Sequence, residues 1–492
     1  MYTHIVVGAG TAGSVVASRI SENKSFKVLL VEAGPDYHPP INSNKDLRCA
    51  IQDARRVPMK GQTDQYDPQI DWNVQVQVVD STVTVPQAKV VGGGSSINGG
   101  TALRNTIADS KEWQACGNHA WYFEQVLPVY QLLERRHPLT RAKVDELGWI
   151  QQSFIDGCSR AGFEFVDDLN ATSVEGVGCS PCCRRGDTRI SLANTFIDPV
   201  RDRLTILRGH VNRVILDGTR AIGVEVDGQR VYAGEVVVCA GAIFSPAILQ
   251  RSGIGPQKEL ERLGIETMVD LPVGENLSDH PCIPLMARPR DGAYNVGDYS
   301  LQCTARWSSE LRPGCIDLQL VCFSYLFGEG IAGNVAGHVA GVGCNVNKPE
   351  STGYVLADEV RPNYLQTPFD RALAREVVRR GFEVVTSMQT LEPPIGIDEE
   401  VVASDERLDE YIREHVTSTY HFCGTCRMAS RDKGGVVDQS GRVYGVECLR
   451  VADASVIPTV PASNTMWTTA MFAERIGTSI RDGVPVEGRA RL

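Results

Sequence analysis

The chain has no run of roughly 18 apolar residues, the length a membrane-spanning helix needs, so no membrane partner is expected. It also lacks positive charge: 49 Lys and Arg stand against 60 Asp and Glu, a formal net charge of -11. That balance argues against nucleic acid and anionic lipid surfaces. An apolar strand beginning by about residue 4 leaves no room for an export signal, so a reducing, cytoplasmic setting is expected. Histidine is scarce at nine residues, which keeps the number of candidate bases small. Cysteine is not scarce, at fifteen. Cys179, Cys182 and Cys183, with Cys423 and Cys426, have zinc-like spacing, but about 240 residues separate the groups and no ribbon-like turns flank them. Buried free thiols and no metal are the expectation. The 492 residues, 42% hydrophobic and 22% charged, suit a globular chain of two to four domains.

The strongest local pattern is Ile5 to Gly34. A short apolar run, Ile5–Val7, is followed by Gly8, Gly10 and Gly13 in G-x-G-x-x-G, then a helix to about Glu22, then a second apolar run, Val28–Val31, ending in Glu32. The glycines permit a tight turn, close approach to a pyrophosphate and helix–strand packing. The helix N-terminus supplies free N–H groups to the phosphates, and Glu32 is placed for a ribose hydroxyl. A dinucleotide is expected, NAD or FAD, with NADP disfavoured by Glu32. Pro35 to Asp80 reads as loop and short helices. Beyond it, Gly92–Ser96 gives a second backbone able to lie flat against a cofactor, and Asn98 adds an amide with donor and acceptor. Asp317–Cys322, His338–Val346 and Tyr354–Leu356 read as strands of an antiparallel wall. Asp370–Arg380 and Asp405–Glu414 read as amphipathic helices.

Several ordered segments together resemble the glucose–methanol–choline (GMC) family of FAD oxidoreductases. They are TVPQAKVVGGGSSINGGT (84–101), GNHAWYFEQVLPVYQLLE (117–134), RISLANTF (189–196), LRGHVNRVILDGTRAIGVEV (207–226), GAIFSPAILQRSGIG (241–255), LPVGENLSDHP (271–281), STYHFCGTCRM (418–428) and VADASVIPTVPASNT (451–465). The middle, Ile283 to Glu400, matches only loosely, through NKPESTGYV (347–355) and RPNYLQTPFD (361–370), and is shorter than usual. The resemblance implies an α/β fold: a discontinuous Rossmann-like FAD-binding domain (1–150, 190–282 and 430–492) and an α+β substrate domain with an antiparallel sheet (151–189 and 283–429).

It further implies FAD contacts from Gly8, Gly10, Thr11, Ala12, Gly13, Glu32 and Ala33. Val91, Gly93, Gly94, Ser95, Asn98, Gly99 and Gly100 would follow, then Val211, Ala240, Gly241, Asp453, Ala454, Asn464 and Thr465. Some relatives carry a His just before the signature Asn that bonds to the flavin; Ile97 stands there, so FAD is expected to be non-covalent. Alcohol oxidation needs a base with a pKa near working pH, which His has unperturbed. His421 aligns with the family's catalytic His. Asn464 is expected opposite it, where an amide can hold the alkoxide oxygen, and could also cap the helix that follows. No motif places a carboxylate in the middle region, so a small uncharged alcohol is the expected substrate, with hydride passing to flavin N5. Oxygen is the expected acceptor, because Gly99 would leave room for a small molecule beside the ring; a quinone-type acceptor and a hydroxynitrile-lyase-like activity with structural FAD are the alternatives. Trp467, Tyr325 and Phe327 are candidates for pocket wall.

Overall fold

In the computed structural model, residues 1–36, 70–185, 188–294, 300–327, 335, 337–356 and 359–488 are described. The short apolar runs near the N-terminus are strands of a parallel sheet: Leu204–Arg208, Val28–Glu32, Tyr2–Val7 and Gln229–Val238 lie side by side in that order. Leu449–Val451 pairs parallel with the last of these. Both faces are covered, which is why Ile5, Val6, Leu30 and Val237 need no polar alternation and are fully buried. The long strand Gln229–Val238 also continues an antiparallel meander with Val211–Asp217 and Arg220–Val226.

Helix Thr11–Ser21 starts on the glycine turn, and each glycine there has a physical cause. Gly8 has φ +93°, and a Cβ on Gly13 would stand 1.8 Å from the Gly8 carbonyl oxygen. Against this helix packs the C-terminal helix Thr465–Asp482, close enough that a Cβ on Gly477 would be 3.1 Å from the Val16 Cα. A buried ion pair, Arg19 to Glu474 at 2.7 Å, joins the two.

A second, antiparallel sheet of six strands runs in the order Thr417–Ser418, Pro281–Ala287, His338–Val346, Leu318–Phe327, Cys303–Trp307 and Gly176–Cys179. Helices Pro368–Ser387, Trp149–Arg160 and Asp405–His415 cover one side. Gln151 patches a gap in the sheet, its Oε1 accepting the Cys303 N–H at 2.9 Å while its Nε2 donates to the Cys322 carbonyl at 3.2 Å.

A third sheet was not anticipated, and it takes in Tyr354–Leu356, which was expected in one wall with Asp317–Cys322 and His338–Val346. Glu275–Leu277, Gly353–Leu356, Glu359–Arg361, Val74–Val78 and Ser81–Val85 form it. Val74–Val78 falls within the stretch expected to be loop and short helices. Its VQVQV alternation, with Val76 and Val78 buried, is a strand signal that the polar surroundings obscured. Most of that stretch, 37–69, lies outside the described residues.

Candidate active site

One cavity, about 380 Å³, runs between the parallel sheet and the six-stranded sheet. At one end it is lined by Gly8, Gly10, Thr11 and Ala12, with Glu32, Ala33 and Val211. Gly93, Gly94, Ala240, Gly241, Asp453 and Ala454 line the middle, and Asn98, Gly99, Gly100, Asn464, Thr465 and His421 the other end. Three expected contacts stand behind this lining. Gly13 is consumed by helix–strand packing. Val91 is buried, its carbonyl accepting from Ser96 Oγ at 3.2 Å. Ser95 donates to the Gly92 carbonyl at 2.6 Å and accepts the Leu192 N–H at 3.0 Å. The last two shape the Gly/Ser turn.

The lining suits a dinucleotide. A Cβ on Gly93 would stand 2.5 Å from the Gly10 Cα, so two bare backbones meet at the cavity, whereas a Cβ on Gly94 or Gly241 would meet nothing within 4 Å. Neither helix, starting at Thr11 or at Gly241, has a side-chain bond from its N-cap residue, so first-turn N–H groups other than that of Gly241, which Asp453 takes, remain for an anion. Glu32 accepts the N–H of Ala9 at 2.9 Å and of Gly34 at 2.8 Å, which ties it to the glycine turn. Burial raises its pKa despite those bonds. Asp453 accepts from Gly241 N–H at 2.8 Å and from Ser245 and Ser455 hydroxyls at 2.5 Å. Asn98 Oδ1 accepts from Gly100 N–H at 2.9 Å and from Arg189 at 3.1 Å, setting the turn in which Gly100 has φ +74°. Trp72, its ring centre 4.7 Å from that of Phe244 and tilted 40° to it, and near His210, walls the Glu32 end; no sequence signal had singled it out.

At the opposite end the hydrogen bonds fix the protonation of His421. His280 Nε2 lies 2.9 Å from the Pro461 carbonyl oxygen. A carbonyl only accepts, so Nε2 carries the hydrogen. Burial, then the neighbouring His421, hold the His280 pKa well below its ordinary value, so this ring is neutral and its Nδ1 is a bare acceptor. His421 Nδ1, 2.9 Å from it, must therefore be the donor. Burial lowers the His421 pKa to about 4, below the near-neutral value expected of the base. Its Nε2 thus holds a lone pair, to which Asn464 Nδ2 donates at 3.2 Å. Asn464 stands at the start of helix Thr465–Asp482 but makes no side-chain cap there. The expected capping role fails because the amide is turned to the imidazole, and its Oδ1 is buried without a partner.

The surroundings hold this pair rigidly. Asp279 accepts the His421 backbone N–H at 2.7 Å, the Ser418 hydroxyl at 2.5 Å and the Tyr364 hydroxyl. Burial pushes its pKa up to about 6. Tyr420 sits at φ +66°, a conformation uncommon outside glycine, with its N–H on Ser418 Oγ at 2.7 Å. Across the site, Lys348 binds Asp109 at 3.0 Å, Glu112 at 2.6 Å and the Val460 carbonyl at 2.6 Å, and Asp109 also accepts the Ala462 N–H at 3.0 Å. These bonds anchor the segment leading to Asn464. Asp279, His280, Tyr364 and Lys348 all lie in quoted motifs, but nothing in the sequence alone distinguished them from their neighbours.

Several expectations change. The space beside Gly99 is not open: a Cβ there would stand 2.6 Å from Leu301 Cδ1, so a leucine methyl already fills it. Trp467 is fully buried against His137, and Tyr325 is buried in the sheet; neither lines the cavity. The Phe327 side chain lies outside the described residues. Among the described residues all fourteen cysteines are free, and no cluster of three or more metal-ligating side chains occurs. No helix among them is long and apolar enough to cross a membrane.

Residues 2–282 match the N-terminal and 349–473 the C-terminal domain of GMC oxidoreductase. An oxygen-dependent choline dehydrogenase of Rhizobium etli is 31% identical, covering 98% of this chain and 96% of that protein. The crystal structure of pyridoxine 4-oxidase from Mesorbium loti superposes with a TM-score of 0.82 at 25% identity, covering 97% of this chain and 98% of that one. A crystal structure of formate oxidase shares the fold, with a TM-score of 0.84 at 22% identity over 98% of each chain. With its dinucleotide cradle and its neutral histidine facing one cavity, the chain belongs to the GMC oxidoreductase family, FAD-dependent enzymes acting on CH–OH groups.

Proposed function

We propose that this enzyme oxidises a small uncharged primary or secondary alcohol to its carbonyl, with His421 Nε2 as general base, FAD held non-covalently and oxygen as acceptor. The observation that carries the proposal is the hydrogen-bond chain from the Pro461 carbonyl through His280 to His421, which leaves a neutral imidazole with its lone pair toward the cavity. A bound hydroxyl takes over the place of the Asn464 amide on Nε2, and the amide N–H turns to the substrate oxygen as it gains charge. Once protonated, His421 keeps its Nδ1–H on His280, so the new positive charge stays hydrogen-bonded within a dry site. The chemistry that bound FAD would supply is acceptance of the hydride from the substrate carbon. Gly10, Gly93 and Gly241 would hold its pyrophosphate, Glu32 and Val211 its adenosine end, and Asn98, Gly100 and Thr465 the ring. Ile97 lines the cavity and offers no nucleophile for a covalent link.

The uncharged substrate rests on the lining: among the described residues its carboxylates are Glu32 and Asp453, both at the cofactor positions and both engaged with backbone N–H groups. The relatives named for choline act on a cation, and this lining offers such a cation no counter-ion. The names of the relatives, oxygen-dependent dehydrogenase and oxidase, favour oxygen. A cytoplasmic setting is supported by the free cysteines. A second reading, a dehydrogenase using a quinone or dye, is favoured by Leu301 filling the space at Gly99. Anaerobic addition of alcohols should bleach the bound flavin, and air should restore the colour within seconds. Flavin left oxidised by every alcohol refutes the proposal, and reduced enzyme that persists in air but reoxidises with a quinone selects the second reading.

A further inference from the structure

The six-stranded sheet presents a predominantly apolar surface to the His421 end of the cavity, through Val321, Phe323, Leu326 and Cys282. Asn345, on the central strand His338–Val346, interrupts it. This residue is 3% exposed, and its Oδ1 has no hydrogen-bond partner among the described residues. Among them its amide makes one long bond, Nδ2 to Gln319 Oε1 at 3.4 Å across the neighbouring strand. Gln319 is itself buried, with an unpartnered Nε2. A Cβ on Gly343 would meet Cys282 Sγ and Phe323 at 3.1 Å and Asn345 Oδ1 at 3.6 Å, so the amide oxygen sits with the thiol and the aromatic ring over a strand position kept bare by glycine.

Buried amides without partners are uncommon because each forfeits the hydrogen bonds it made to water. Two side chains lining this cavity carry such an oxygen, Asn464 beside the base and Asn345 on the sheet. The first belongs to the amide already assigned to the reacting hydroxyl, on which it acts through its N–H. The second is not used by any step of alcohol oxidation, since the base and the amide that holds the substrate oxygen are already assigned. It is also not needed by the sheet, whose backbone pairing at 345 with Cys282 and Gln319 is complete without it.

We propose that Asn345 determines specificity by accepting a hydrogen bond from a second donor on the substrate. The substrate class is then an alcohol with a further hydroxyl or N–H on an apolar body, a diol or an uncharged amino alcohol rather than a simple mono-alcohol. The proposal rests on the alcohol-oxidising function given above. The aromatic and aliphatic neighbours hold the body, Asn345 fixes its far end, and the near hydroxyl is delivered to His421. A site built around a buried polar group discriminates against an analogue that leaves the group unpaired far more than an apolar pocket discriminates by size.

The test uses the FAD-loaded enzyme and matched pairs: benzyl alcohol against its ring-hydroxylated and bis-hydroxymethyl analogues, and linear mono-alcohols against diols of equal length. Anaerobic flavin bleaching gives the rate and half-saturating concentration for each. The wild type should favour the two-donor member of at least one pair by roughly 10⁴ in efficiency. Asn345→Leu, close in size but apolar, should erase that preference by slowing the diol while leaving the mono-alcohol within a few-fold. Equal use of both members of every pair by the wild type overturns the proposal while leaving the oxidase reading intact, and this measurement needs no variant to fold. A preference that survives in Asn345→Leu also overturns it. If no alcohol bleaches the flavin, the function itself is wrong and the specificity falls with it.

Discussion

The tautomer of His421 is set by a residue that never meets substrate, and replacing it gives the sharpest test of the site. In His280→Leu, two buried groups lose their partners together: the Pro461 carbonyl and the His421 Nδ1–H. The imidazole then has two options. It can keep the productive tautomer, with Nδ1–H facing an apolar side chain, at about 1–3 kcal/mol for the lost bond. Or it can move the hydrogen to Nε2, where Asn464 can turn its free Oδ1 to accept it, and so lose the lone pair that takes the alcohol proton. The first route leaves the imidazolium that forms without its acceptor and the second depletes the reactive form; either loss is about 1–3 kcal/mol, a fall in kcat/KM of roughly 5- to 150-fold. His280→Gln should recover most of this, because a glutamine amide can donate to Pro461 while its oxygen accepts from His421. The assay is stopped-flow flavin reduction under nitrogen across pH, with flavin content checked for each variant. Leu and Gln variants equally impaired, or a Leu variant within twofold of wild type, would refute the tautomer argument.

His421→Ala should lower kcat/KM by roughly 10² to 10⁴, the usual worth of a general base, in a protein that stays yellow; Asn464→Ala should cost about 1.5–3 kcal/mol of barrier, and a loss below tenfold for His421→Ala would move the base elsewhere. Acid or heat precipitation should leave yellow cofactor in the supernatant, and colour retained in the pellet would falsify non-covalent binding. Burial brings His137, like His421, down to about 4. The unfolded chain therefore takes up extra protons as pH falls from about 6.5 toward 4, and each histidine withdraws up to roughly 3 kcal/mol of stability over that window. His137→Gln should flatten the fall of Tm with acid, and an unchanged slope would remove His137 from the account. If Leu301 limits oxygen entry, Leu301→Ala should speed reoxidation of reduced enzyme by air and leave alcohol reduction nearly unchanged, while identical reoxidation rates would clear Leu301 of that role.

The local features were legible in the sequence where chemistry and backbone constraint coincide. G-x-G-x-x-G, Glu32 and the segment around His421 stand out because a tight turn, a helix start and a reactive side chain each restrict residue type. His338–Val346 was legible as a strand for a similar reason, its apolar run being interrupted only by small residues and one amide. What stayed hidden was the pairing of distant segments. His280 and His421 are 141 positions apart, and Lys348 reaches carboxylates more than 230 positions away. Each is an ordinary polar residue until folding removes water and leaves it only the partners that distant segments bring. Gly99 misled for the converse reason: the sequence shows that glycine has no side chain, but not that Leu301 occupies the space.

The Pro461 carbonyl that orients His280 belongs to the same short segment that carries Asn464 and is pinned by Lys348 and Asp109. Substrate range and proton transfer therefore have unequal freedom to diverge. The sheet carrying Asn345, Phe323 and Val321 can exchange side chains without disturbing the base, so new substrates are reachable by single changes there. An insertion or a shift between Pro458 and Asn464 would alter both the acceptor behind His280 and the amide beside His421. Lineages descending from this scaffold should thus vary the sheet and keep that loop at constant length, and a library built to widen the pocket will yield active members from the first region and mostly inert ones from the second.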